Sequence, residues 1–347
     1  MKKIILSFSM AMFAFLSSCG KESEHSAEVQ NLKGNLFIQF TDGVSVYNLT
    51  DNKYTEDVAK VSLTQVLQTY DVSWDTSKVL FTLDVKGFNH KRIVYRSIKD
   101  PVTQQEVRTD GKNIHDFEYE WGDVRPLKAF ISPNEKYIAL EGQGYSDMPM
   151  IIIEADKDNE VGRCDPDGAG YNDWGQPGWT LDNTLYVQVG NSVYKMSPAD
   201  GYKTYQKVCS ADGGGSYRVN PQGTKFVYYK DKHLWLCDID GSNRKQITTS
   251  TTYDWASWDG EGRPTFSPDG NYIAFTARGS RGMAWSDHDY PDGSWVGAVG
   301  GKYGYLAVIP ADGKLYNLDD KNSGAISLTR NGSSRGIPCD GHLVWRR

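Results

Sequence analysis

The sequence is short of cysteine, histidine and positive charge, and each shortage excludes something. It has 5 Cys and 6 His in 347 residues. No CxxC pair and no Cys/His spacing reads as a zinc site. No HExxH string occurs, so the metalloprotease signature is missing. Acidic residues outnumber basic ones, 44 to 38, a balance that does not suit a polyanion such as nucleic acid. Beyond the first sixteen residues no apolar run approaches a membrane span. Gly332-Ser333-Ser334-Arg335-Gly336 fits the nucleophile-elbow string in letters only. No parallel strand is expected before it and no helix after it, so Ser334 is not read as a nucleophile.

What the chain has in quantity is aromatic residues and glycine. Aromatics are 12%, with 21 Tyr and 10 Trp, and there are 35 Gly. The first favours strands, where such side chains fit a pleated, half-buried surface. The second points to many tight turns. Apolar residues at 39% and charged residues at 24% are ordinary for a globular chain.

The N-terminus reads as an export signal. Met1-Lys2-Lys3 is a short cationic region, and Ile4 to Leu16 is an apolar run too short to span a bilayer. Leu16-Ser17-Ser18-Cys19 then resembles the lipobox of bacterial lipoproteins. That resemblance implies a signal peptide at 1–18 and a lipidated Cys19 as the first mature residue. Gly20-Lys21-Glu22-Ser23-Glu24 is similar to the surface-export tag of Bacteroidetes lipoproteins, and 19–30 reads as a polar, flexible tether. Removing 1–18 takes two lysines and leaves 36 basic against 44 acidic residues, a mature charge of −8. An outer-membrane lipoprotein facing the periplasm or the cell surface is expected, held to the membrane by its lipid alone. In that compartment Cys164, Cys209, Cys237 and Cys339 are free to pair, in any of three ways, or to stay buried as thiols.

Residues 31–347 carry a repeat. Phe266-Ser267-Pro268-Asp269-Gly270-Asn271-Tyr272-Ile273-Ala274-Phe275 reads as strand, tight turn, strand. Ile131 to Leu140 and Val219 to Tyr228 are close copies; Val72 to Phe81 and Trp179 to Val187 are weaker ones. Pro presets φ, Asp or Asn bonds its own backbone, and Gly accepts positive φ. A second hairpin follows each copy, as in Leu234 to Thr248 and Val193 to Val208. Each unit is thus four strands, a–b–c–d, the blade of a β-propeller. The Ser-Pro-Asp-Gly turn with a late Ile-Thr or Leu-Thr pair resembles the repeats of the TolB-like family. The likeness covers nearly all of 31–347 and implies the fold more than a function.

At the ends, Asn31 to Phe40, Val44 to Leu49 and a strand near Asp57–Val61 supply b, c and d without an a. Gly341 to Trp345 supplies an a without a b. The expectation is an all-β, six-bladed propeller in which the C-terminal strand pairs with three N-terminal strands. Seven blades stay open, because Ile309-Pro310-Ala311-Asp312-Gly313 can be read as either kind of turn.

Long d–a loops and an insertion at Gly279–Tyr303 fall on one face. They hold Trp121, Trp174, Trp255, Trp258, Trp285 and Trp295, with Tyr171 and Arg281 among them. Exposed Trp clusters mark recognition surfaces, and flat rings stack on sugars. The plainer reading is that these rings pack loop against loop. Trp74, Trp179, Trp235 and Trp345 lie on or beside strands and read as core. Asp165 to Asp173 and Asp287 to Gly293 are acidic turns. The first has carboxylates at Ca²⁺-loop spacing, but Ala169 and Gln176 stand where ligands belong. No cofactor is expected, Ca²⁺ being the one ion these turns would take. The expected role is glycan binding by a monomer. The alternatives are an envelope protein–protein scaffold, as TolB-like propellers can be, and a polysaccharide lyase or hydrolase. The last would draw on His115 and His288, since oligogalacturonate lyases use a related propeller with a His-rich metal site.

Overall fold

The computed structural model describes residues 32–40, 43–61, 65–85, 90–98, 106–107, 115–118, 125–143, 150–156, 159–166, 177–250, 260–278, 304–320, 322–329, 336–339 and 342–347. Within them the chain is all β apart from one 3₁₀ turn at Pro198–Asp200.

Most strands pair antiparallel with their neighbours in sequence. Sheet 2 holds β4 (Gln65–Val72), β5 (Lys78–Val85), β6 (His90–Ser97) and β7 (Glu106–Val107), with β8 (His115–Glu118) also on β6. Sheet 3 holds β9 (Arg125–Ile131), β10 (Tyr137–Gln143), β11 (Met150–Glu154) and β12 (Glu160–Cys164). Sheet 4 holds β13 (Gly178–Trp179), β14 (Leu185–Val189), β15 (Ser192–Met196) and β16 (Tyr205–Ser210). Sheet 5 holds β17 (Gly215–Val219), β18 (Lys225–Lys230), β19 (His233–Asp238) and β20 (Lys245–Gln246). Sheet 6 holds β22 (Gly260–Phe266), β23 (Tyr272–Arg278), β24 (Gly304–Pro310), β26 (Ile326–Ser327) and β27 (Pro338–Cys339). A short parallel pair, β21 (Thr248–Thr249) with β25 (Tyr316–Asn317), ties sheet 5 to sheet 6. Asp312-Gly313 therefore lies between the third strand of sheet 6 and its outer strands, in the position of a c–d turn.

Sheet 1 is the exception. β1 (Asn35–Phe40), β2 (Gly43–Asn48) and β3 (Lys53–Lys60) are joined on the inside by the last strand of the chain, β28 (Leu343–Arg346), in register from Asn35↔Arg346 to Ile38↔Leu343. The closure expected from the two ends is present, and it leaves β1 no open edge.

Six apolar clusters each fill the gap between one sheet and the next. Phe37, Val44 and Val344 meet Tyr70 and Phe81 between sheets 1 and 2, for example. Leu36 and Trp345 meet Leu306, Val308 and Ile326 between sheets 6 and 1. The arrangement is a β-propeller, recognisable over five blades. Cys164, Cys209, Cys237 and Cys339 are free and buried in this packing. Trp179 and Trp345 are buried as expected, at 7% and 2% exposure.

The repeated turn explains the regularity. In each copy a polar side chain opens the turn, a second accepts hydrogen bonds from it and from the backbone, and the first then caps the next strand. Ser73 Oγ donates to Asp75 Oδ1 at 2.7 Å, Ser77 N donates to the same oxygen, and Lys78 N donates to Ser73 Oγ. Ser132 with Asn134, Thr180 with Asp182, and Ser267 with Asp269 repeat this, and Asn220 plays the opening part in its own copy. The expected Gly at positive φ is found in Gly223 and Gly270. Thr76, Glu135 and Asn183 take that conformation in the other three copies. There the side-chain hydrogen bonds offset the strain that Gly would have avoided.

Candidate functional site: the axial cavity

The inner strands of all six sheets end around one cavity of about 70 Å³ on the ring axis. By the usual allowance per water, that is room for about five waters or one carboxylate-sized group. Its lining includes Asp71 and Trp74 from sheet 2, Phe130 from sheet 3, Trp179 from sheet 4, Arg218 from sheet 5, Thr265 and Phe266 from sheet 6, and His342 to Arg346 from β28. Trp74 and Pro221 belong to the a–b turns, so the cavity reaches the face of short turns, away from the long connections.

Asp71 organises one side. Its Oδ1 accepts from Val72 N at 2.8 Å and from Arg346 Nη2 at 2.7 Å, and its Oδ2 accepts from Ile131 N at 2.8 Å. One carboxylate thus joins sheets 1, 2 and 3. Burial pushes its carboxyl above the usual carboxylate range, and Arg346 with the Ile131 and Val72 N–H groups offsets part of that. Burial likewise lowers Arg346, with Asp71 and Tyr70 opposing. Burial thus works against the charged form of both partners, as is common for enclosed ion pairs. Arg346 also donates to Val72 O at 2.8 Å and lies over the Trp74 ring, 4.6 Å from its centroid.

The other side is cationic. Arg218 donates to Pro177 O at 3.1 Å and to His342 Nδ1 at 2.9 Å. A guanidinium can only donate, so the His342 ring nitrogen accepts and the ring is neutral. Burial drives the His342 pKa well below its ordinary value, and Arg218, Lys128, Arg346 and Arg263 push the same way. Tyr70 and Phe130 meet the imidazole edge-on at 5.6 and 5.8 Å, and Tyr70 Oη donates to His342 O.

A second polar cluster lies at the far end of β22. Glu261 is 2% exposed. It accepts from Ser250 Oγ at 2.7 Å and Thr248 Oγ1 at 3.2 Å, and lies 2.8 Å from His233 Nδ1. Ser250 and Glu261 flank the connection carrying Trp255 and Trp258, so its base is clamped.

The eight ligand-contact residues expected from sequence, Trp121, Trp174, Trp255, Trp258, Trp285, Trp295, Tyr171 and Arg281, lie outside the described residues. So do Cys19, Asp167 to Asp173, His288 and Ser334. The backbone of His115 is in β8. Among the described residues no group of His, Cys, Asp and Glu is placed to hold a metal. Sequence reasoning missed Asp71, Arg218, His342 and Arg346. The signal available was a charge in an inner strand beside buried aromatics, as in Tyr70-Asp71-Val72 and Tyr217-Arg218-Val219.

No known protein family and no curated protein matches the chain. Solved structures do. TolB from Acinetobacter baumannii is similar with a TM-score of 0.57 at 12% identity, over 90% of this chain; the chain spans 66% of that protein's length, just under two thirds. A protein from Lactobacillus plantarum is similar with a TM-score of 0.54 at 12% identity, over 91% of this chain and 100% of its own. An oligogalacturonate lyase in complex with manganese reaches a TM-score of 0.48 at 14% identity, over 70% of each chain, too weak to bear on fold or activity. The first two similarities establish a TolB-like propeller fold and leave the activity open.

Proposed function

We propose that the chain is a six-bladed propeller lipoprotein, tethered to the outer membrane through Cys19, that binds a glycan on its loop-bearing face. The six sheets and the six clusters between them support the blade count. The observation that carries the binding role is the clamp at Glu261. A buried carboxylate fixes both ends of the connection bearing Trp255 and Trp258, as a rigid scaffold does for a recognition loop. Binding is favoured over catalysis because Asp71, the carboxylate in the axial cavity, is already engaged by two backbone N–H groups and Arg346 through three of its roughly four acceptor sites.

The test is a screen of the purified chain against defined polysaccharides, reading tryptophan fluorescence and product release together. A fluorescence change without products, weakened at least about tenfold in Trp255→Ala or Trp258→Ala, is the expected result. Product release, or binding that both substitutions leave intact, overturns it.

A further inference from the structure

We propose that Cys209 and Cys237 are the site of a disulfide that staples sheet 4 to sheet 5 when the chain folds with a small-molecule disulfide as oxidant. The staple is independent of what the loop face binds.

The packing selects this pair. Cys164, Cys209, Cys237 and Cys339 are spread over three apolar clusters. Cys164 lies between sheets 3 and 4, Cys339 between sheets 6 and 1, and Cys209 and Cys237 share the cluster between sheets 4 and 5. The two come from opposite walls of that gap. On β16, Cys209 pairs with Val193, which is buried among sheet 5 side chains. On β19, Leu234 and Leu236 pack towards sheet 6, and the alternation of a strand turns Trp235 and Cys237 towards sheet 4.

A close approach of the two walls supports the pairing. Cys209 packs on Gly241, in the turn that Cys237 leads into. A Cβ on Gly241 would come within 2.7 Å of Cys209 Cβ and 3.3 Å of its Sγ. Gly241 N donates to Asp238 O at 2.9 Å, which folds the turn back to the residue after Cys237. Polar contacts hold the walls around the thiols. Arg244 donates through Nε to Gly241 O at 2.8 Å and through Nη2 to Ser210 O, and Tyr217 Oη donates to Ala211 O at 2.8 Å. A disulfide tolerates little misalignment, and these contacts align the walls without it.

Ionisation sets when the bond can form. Burial pushes the Cys237 thiol up to about 12; the neighbouring Cys209 sulfur adds to this and Arg244 opposes it. Burial also raises Cys209, again with Arg244 opposing. The thiolate is the nucleophile, so the packed pair is inert and the bond forms before sheets 4 and 5 close on each other. One cysteine, as thiolate, attacks glutathione disulfide and releases one glutathione. The second attacks the mixed disulfide, closes the Cys209–Cys237 bond and releases the other glutathione. The cysteines lose two electrons, glutathione disulfide gains them, and both thiol protons end on glutathione. The proposed export would carry the chain into a compartment that holds such oxidants.

The test is refolding of the full chain from urea, either with glutathione disulfide and glutathione or with excess dithiothreitol, followed by alkylation, proteolysis and mass spectrometry. A peptide pair joined through Cys209 and Cys237, with Cys164 and Cys339 alkylated, is expected in the oxidised sample. The oxidised chain should melt about 3–6 °C above the reduced one, because the bond constrains the unfolded chain. Cys209→Ala and Cys237→Ala should each melt at the same temperature in both conditions. The native reduced chain, given the same oxidant without urea, should form the bond at least about tenfold more slowly than the refolding one. A different pairing, no bond between these two residues, or a bond that leaves the melt unchanged or lowers it overturns the proposal. Equal rates in the native and refolding chains overturn its assignment to folding.

Discussion

Sheets 1 and 5 are both four-stranded and antiparallel, but their strands are recruited differently. Sheet 5 is drawn from one stretch, Gly215 to Gln246, and its inner hairpin is set by the Asn220 turn, whose side chain takes Thr224 N and Lys225 N at 2.8 and 3.0 Å. Sheet 1 has no turn between β28 and β1. Its register is set by clips instead. Trp345 Nε1 donates to Lys33 O at 2.9 Å and Asn35 Nδ2 donates to Arg347 O at 3.1 Å, each across 312 residues. Gly34 fits beneath the Arg346 carbonyl at φ +92, where a Cβ would come within 2.2 Å of that oxygen. A local blade gets its order from neighbouring residues. The seam has to offset the closure entropy of nearly the whole chain with buried side chains and specific polar contacts.

Cutting the seam should have the largest effect. Deleting residues 342–347 removes Leu343, Val344 and Trp345, all at most 3% exposed. At about 1.5–3 kcal/mol for each buried side chain, the loss is roughly 4.5–9 kcal/mol, comparable with a typical domain's whole stability. Circular dichroism melts should show no cooperative native transition, and the bared edge of β1 should promote association.

The intermediate effect is at the ion pair. Asp71→Asn leaves Arg346 enclosed without a counter-charge and should cost about 3–5 kcal/mol in urea unfolding. Adding Arg346→Met should restore part of that. A double variant worse than the single would mean the guanidinium holds the seam through Val72 O and Trp74 rather than through Asp71.

The smallest effect separates seam from turns by pH. Burial works against ionisation of Asp75, but hydrogen bonds from Ser77 and Ser73 outweigh it and its carboxyl titrates at about 2. A depressed pKa means a contribution present above the unfolded carboxylate's pKa and lost as pH falls through about 2. Asp71 is shifted the other way, so acid does not remove stability through it. Asp75→Asn should therefore flatten the stability profile below pH 4 by a fraction of a kcal/mol, screening by solvent being considered. Asp71→Asn should not flatten it.

The same contrast explains what the sequence disclosed. The Ser-Pro-Asp-Gly lines are local, so five turn copies and their hairpins could be read directly. The orphan a strand at Leu343–Arg346 and the missing one before Asn35 could be matched by counting. The axial site was hidden because Asp71, Arg218 and Arg346 come from different sheets. Each looks like an isolated charge until the ring brings them to one axis. The loops, where Trp and Asp cluster in sequence, carry the stronger local signal. Left-handed Thr76 and Glu135 were equally illegible, since nothing in their side chains announces the conformation their neighbours impose.

The register of the seam sets how the ring responds to force. Asn35 is opposite Arg346, so the chain enters β1 and leaves β28 at the same end of the paired strands. Tension applied to the two termini therefore peels the seam apart one residue pair at a time, from Asn35↔Arg346 towards Ile38↔Leu343, rather than shearing all four pairs together. The ring is therefore expected to open from a single point, the Asn35↔Arg346 end of the seam, when it is pulled.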